Sequence, residues 1–126
     1  MKNQNLIVVL ILSMLWACNP GSDDMNQVQV SGEIEHPSAD SVWIRFYDPL
    51  GEMTSYSAAL DSNGHFKMSF QLEEATEATF YDGNETSAMF LEPGDDLIMN
   101  LDTEAFDESI TYEGKGSCAN NYLAAY

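Results

Sequence analysis

The stretch Gln27–Glu35, QVQVSGEIE, decides the fold. Val28, Val30, Gly32 and Ile34 alternate with Gln27, Gln29, Ser31, Glu33 and Glu35. Such alternation is the mark of a strand with one face on a core and one in water. His36 and Pro37 end it, because proline has no N–H to give to a ladder. The same rhythm then recurs along the chain.

Downstream, residues 41–48 place Val42, Ile44 and Phe46 on one face and Trp43, Arg45 and Tyr47 on the other. Aromatics on the second face predict either partial cover or a stacking surface. Residues 54–60 form a weaker strand with Tyr56, Ala58 and Leu60 inward. Asp61-Ser62-Asn63-Gly64 is a hairpin signal, since Asn-Gly supplies the positive φ angles of a tight reversal. Residues 65–72 alternate Phe66, Met68, Phe70 and Leu72 with polar partners. Strands at 77–81, 86–91, 96–101 and 109–113 follow, with turns at 82–85 and 92–95 and a short segment at 103–108 anchored by Phe106. About eight short strands spaced about 8–12 residues apart predict an all-β antiparallel β-sandwich. Near the end, Ser117 is placed to cap a helix beginning at Cys118, with Ala119, Tyr122, Leu123 and Tyr126 at helical spacing. An isolated helix below about 12–15 residues is marginal in water. The segment therefore either docks on the sandwich or opens a longer helical connector, and the second is the expectation.

Ahead of the fold lies LIVVLILSMLWAC, residues 6–18, behind a short start whose one charge is Lys2. A membrane-spanning helix needs about 20 apolar residues, so this run reads as the core of a signal peptide. Leu15-Trp16-Ala17-Cys18 resembles a bacterial lipobox, although Trp16 stands where a small residue is usual. Cys18 is accordingly expected to be lipidated and to anchor the chain to the membrane. The expected organisation is a lipoprotein signal peptide at 1–17, a flexible tether at 18–26, the sandwich at 27–114 and the start of a helical connector at 115–126. The predicted place is the cell envelope, on the outer membrane, facing the periplasm or the cell surface.

The net charge is −17, and loss of Lys2 with the leader makes it −18, leaving Arg45, Lys67 and Lys115 as cations. So acidic a chain has no footprint for phosphates, which argues against nucleic-acid partners. A polybasic membrane patch is also missing, so only a lipid would hold it to a bilayer. With Cys18 acylated, Cys118 has no partner in the chain, and a half-buried structural thiol is expected there. His36 and His65 sit in no motif that pairs them with a nucleophile, and two histidines so far apart suggest no zinc or copper site. Asp61 with Asn63, or Asp82 with Asn84 and Glu85, offer oxygens to calcium, but neither turn has the spacing of an EF-hand loop. Turn chemistry explains both better. No catalytic residue, metal ligand or cofactor is assigned. Trp43 and Tyr47 are the candidate ligand-binding pair.

Several segments together resemble a known family. Gly32-Glu33-Ile34, the turn 61–66, Phe90-Leu91-Glu92-Pro93-Gly94-Asp95 and Ile110-Thr111-Tyr112-Glu113-Gly114 through Asn121-Tyr122-Leu123 follow in the order and spacing of the β-rich domain of unknown function 4369. That domain precedes a thioredoxin-like domain in Bacteroidota-type lipoproteins similar to TlpA-type thiol–disulfide oxidoreductases. The resemblance implies a non-catalytic, lipid-anchored accessory sandwich whose partner is a C-terminal thioredoxin-like domain or a separate protein. The family's redox Cys-x-x-Cys has no counterpart in this chain. The alternative is a stand-alone envelope module binding glycan or peptide through Trp43 and Tyr47.

Overall fold

The computed structural model describes residues 24–126. The leader, Cys18 and the tether up to residue 23 lie outside the described residues. Eight strands run in chain order: β1 (Gln27–Glu35), β2 (Ser41–Tyr47), β3 (Met53–Ala59), β4 (His65–Gln71), β5 (Thr76–Tyr81), β6 (Thr86–Leu91), β7 (Asp96–Asp102) and β8 (Thr111–Lys115). They form two four-stranded sheets, β4-β1-β7-β8 and β3-β2-β5-β6. The expected all-β sandwich is therefore the observed one.

Alternation explains which side chains meet between the sheets. Val28, Val30 and Ile34 of β1 and Leu97, Met99 and Leu101 of β7 face Val42 and Ile44 of β2 and Phe80 of β5 across one buried cluster. Tyr56 stacks on Phe70 with centroids 4.5 Å apart and planes 7° from parallel, joining the two edge strands β3 and β4. The turn between them keeps its predicted chemistry, with Asp61 Oδ1 accepting from the N–H groups of Asn63 (2.8 Å) and His65 (2.9 Å). The expected hairpin, however, is not formed: β3 pairs with β2 and β4 with β1, so this tight reversal carries the chain from one sheet to the other.

The structure departs from the expectations in three further places. First, β1 and β7 pair in parallel, with Gly32 opposite Met99, so the first sheet is mixed while the other strand pairs are antiparallel. A period of two reports which face is buried and is silent on the direction of the neighbour. The chain leaves β1, builds β2 and β3 in the other sheet, and returns to both sides of β1. Gly32 is required at that contact: a Cβ there would lie 1.7 Å from the Met99 carbonyl oxygen.

Second, the segment between β7 and β8 is a 3₁₀ turn (Thr103–Ala105) followed by α1 (Phe106–Ser109), and β8 starts at Thr111. Phe106 is buried, as expected of an anchor. Third, the last helix, α2 (Ser117–Ala124), begins from Gly116 and not from a Ser117 cap. Gly116 takes φ +96°, and the Asp95 carboxylate packs where any larger side chain would sit. No helix among the described residues is long and apolar enough to cross a membrane.

Candidate functional site

Helix α2 crosses the open side of the sandwich, where β6 ends one sheet and β8 ends the other. An edge strand presents unpaired N–H and C=O groups. Two consecutive asparagines answer this. The Asn120 side-chain amide accepts from the Phe90 N–H (2.9 Å) and donates to the Phe90 carbonyl (2.8 Å), as an adjacent strand would. Its second N–H goes to the Gly116 carbonyl at 2.9 Å. Asn121 does the same for β8, accepting from the Tyr112 N–H at 2.9 Å and donating to the Tyr112 carbonyl at 2.8 Å. Asn120 is the fully buried residue of the helix.

Held by its amides, α2 leaves its apolar residues outside except Ala124, which is partly buried against the core. Tyr122 is 66 % exposed and Tyr126 94 %. Between α2 and the outer face of β2, β5 and β6 runs a groove of about 1100 Å³. Tyr47, Met53, Ala88 and Phe90 line it from the sheet, and Cys118, Ala119, Tyr122 and Leu123 from the helix. Arg45 and Glu77 are its charged groups. The surface is thus mostly apolar and aromatic, with the outward Glu77 and Thr79 of β5 and the Arg45 of β2 as its polar groups, a composition suited to docking another partly apolar surface.

The pair Trp43 and Tyr47 divides. Tyr47 lines the groove and is 68 % exposed. Trp43 is half-buried against Tyr81, ring centroids 5.4 Å apart, and lies outside the groove. Arg45 stands between them with its guanidinium 4.7 Å from the Tyr81 ring centre. Four residues of extended strand separate the pair by about 13 Å. Trp43 and Tyr47 therefore do not form one stacking platform. Cys118 is a free, exposed thiol at the groove and not a half-buried structural one. The reason is the turn of α2 that buries Asn120 in its place.

The turn carboxylates serve the backbone. Asp82 Oδ1 accepts from Asn84 N–H at 2.7 Å and from Glu85 N–H at 2.6 Å. Asp95, buried at the turn before β7, accepts from Glu92 N–H at 2.9 Å, yet burial outweighs that bond and pushes its carboxyl above the usual range. One juxtaposition escaped the sequence reading. His36, which adopts φ +52°, sits with Nδ1 2.9 Å from Asp102 Oδ1 and 3.8 Å from Glu104 Oε2. That hydrogen bond, reinforced by both carboxylates, raises the imidazole pKa and lowers that of Asp102. With Glu35 it gathers three ligand atoms within 4.8 Å of one another, a set able to hold a divalent cation at an exposed position. The parallel β1–β7 register makes Glu35 opposite Asp102, and nothing in the local sequence announces it.

Comparison with known proteins adds little. No protein-family model matches the chain, and no curated protein does. Among solved structures it is similar to a candidate cell adhesion protein from Bacteroides ovatus, at 12 % identity and a TM-score of 0.41, covering 72 % of this chain and 43 % of that one. It is also similar to a chlorocatechol 1,2-dioxygenase from Pseudomonas putida, at 12 % identity and a TM-score of 0.39, covering 65 % and 60 %. The chain spans less than two thirds of either neighbour's length. Likeness at this level supports no statement about function.

Proposed function

We propose that the chain is a non-catalytic accessory module of the cell envelope, lipid-anchored through Cys18, which docks a thioredoxin-like partner in the groove beside α2. The observation that carries this reading is the groove itself: Tyr47, Met53, Tyr122 and Leu123 are left exposed together along one surface. A monomeric protein rarely leaves such side chains contiguous without use for them. The class of partner rests on the family resemblance. A second reading, a module for glycan or peptide, is favoured by the exposed rings of Tyr47 and Tyr122, which could stack on a ligand.

A photo-crosslinking residue at Met53 or at Tyr122, in cells, tests the docking. Adducts to a protein carrying a Cys-x-x-Cys, absent when the same residue replaces Lys67 on the opposite sheet, are expected. Adducts containing carbohydrate would select the second reading, and identical adducts at Lys67 would defeat both. Fatty-acid labelling of the chain against Cys18→Ala tests the anchor. Equal labelling refutes it.

A further inference from the structure

Beside the tip of α2 the edge of β6 is unguarded. Strand β6 pairs with β5 in the register Phe80 opposite Ser87 and Ala78 opposite Met89. In an antiparallel ladder alternate residues turn their N–H and C=O groups outward. Phe90 is one of these, since Asn120 reaches its two groups from outside the sheet. By the same period Thr86 and Ala88 also point outward, and among the described residues their backbone groups have no partner. Residues 86–88 carry neither charge nor proline, the usual protections of an edge. A cavity of about 830 Å³ opens along them, walled by Asp107, Glu108 and Ile110 on one side and by Leu123, Ala124 and Tyr126 on the other.

We propose that this edge accepts an extended, lysine- or arginine-rich segment of a partner protein as a ninth strand. Asn120 shows that the edge geometry supports a paired donor and acceptor, with both distances at 2.8–2.9 Å. The same residue sets the limit of the added strand, because α2 occupies the edge at Phe90. Four backbone groups remain at Thr86 and Ala88, enough for a short strand addition of the kind that binds peptides to sheet edges. Charge decides the partner. Two carboxylates stand in the wall of the cavity on a chain of net charge −17 with four cations in all. A second copy of this chain would bring like charges together, whereas a basic segment neutralises them. The edge adjoins the groove on the sheet face and shares Ala88 and Leu123 with it, but this inference rests on the outward backbone groups of β6 and does not depend on what the groove binds.

The test uses the full chain in neutral detergent micelles at low salt, with the blocked peptide acetyl-Lys-Thr-Val-Lys-Val-Lys-amide as probe. The control is the same peptide N-methylated at alternate residues, which keeps its charge and removes the donors a strand needs. Amide hydrogen exchange at Thr86 and Ala88 is expected to slow about tenfold or more with the first peptide and to stay unchanged with the second. The double variant Asp107→Asn, Glu108→Gln should bind the first peptide about threefold or more weakly, as two rim charges would give. Equal protection by the methylated peptide would overturn the proposal in favour of charge attraction alone. Protection that grows with protein concentration in the absence of peptide would overturn it in favour of self-pairing. Shifts confined to Phe90 and Tyr122 would place the peptide in the groove and refute the edge.

Discussion

Replacing Asn120 by alanine should cost about 2–3 kcal/mol, a large part of the stability of so small a domain. The residue is fully buried and makes three hydrogen bonds, one accepted from Phe90 and two donated to the Phe90 and Gly116 carbonyls. At about 1 kcal/mol for each net bond the loss is about 3 kcal/mol. The better helix propensity of alanine returns about 0.6 kcal/mol. Asn120→Asp is the sharper probe. It keeps the shape and the bond from Phe90 N–H, but turns an anionic oxygen toward two carbonyls that now receive N–H groups. The new carboxyl is held above its ordinary value in the folded state. Its penalty is therefore absent below about pH 3.9, grows as pH rises toward the folded pKa and is constant beyond it. Urea unfolding followed by far-UV circular dichroism and Trp43 fluorescence should show Asn120→Ala with a midpoint well below wild type. In a thermal scan the drop should be about 10–20 °C. Asn120→Asp should be worse at pH 7 and closer to wild type at pH 4.5. An Asn120→Ala variant within about 0.5 kcal/mol of wild type, the scatter of ordinary surface changes, would refute the claim that the amide holds α2 to the edge.

Three other outcomes follow from the same geometry. Gly32→Ala forces a methyl onto the Met99 backbone and should destabilise by about 3 kcal/mol or more; a cooperative melt at the wild-type temperature would show that β1 and β7 are not so closely apposed. Titration of the His36 ring by proton NMR should give a pKa above the ordinary 6.5 that falls back in Asp102→Asn. In linkage terms, the His36 contribution to stability is present below about pH 6.5 and lost as pH rises through its raised value, while that of Asp102 is present above about pH 3.9 and lost as pH falls through its lowered one. An unshifted His36 in the wild type would break that pairing. Tyr112, whose buried hydroxyl lacks a regular hydrogen bond, is pushed up to about 12 by burial, with Ser87 acting weakly against it. Tyr112→Phe should therefore stabilise by about 1 kcal/mol in the same urea assay, and a loss of stability would mean that the hydroxyl is bonded after all.

Most of the strand content was legible because alternation in this chain is strict. Val28, Val30 and Ile34, or Phe66, Met68 and Phe70, announce their face with no help from elsewhere, and all are buried. Pairing was less legible. Gly32 stands in an apolar position of β1, but that it meets Met99 of a parallel neighbour depends on the path of the chain between them. The helix shows where pattern misleads. Its apolar spacing marks Tyr122, Leu123 and Tyr126 as the side that packs, yet the buried residue is Asn120. Two sheet edges with unpaired backbone groups outweigh the gain from burying three apolar side chains, and an asparagine amide satisfies both groups of one edge residue at once. The candidate site was half legible for the same reason. Tyr47 was singled out correctly as an outward aromatic, while the helix wall that makes a groove of it depends on those amides.

The parallel pairing of β1 also bears on how the chain comes to exist. Gln29 and Asp96 are neighbours in space and 67 residues apart in sequence. A chain delivered N-terminus first exposes β1 long before β7 arrives, so its inner row of Val28, Val30 and Ile34 waits uncovered on one side. Pairings of such long range make folding slow and leave intermediates open to aggregation. For a chain made vectorially, the first strand to emerge is thus among the last to be completed. The time between those two events is when a chaperone would be needed.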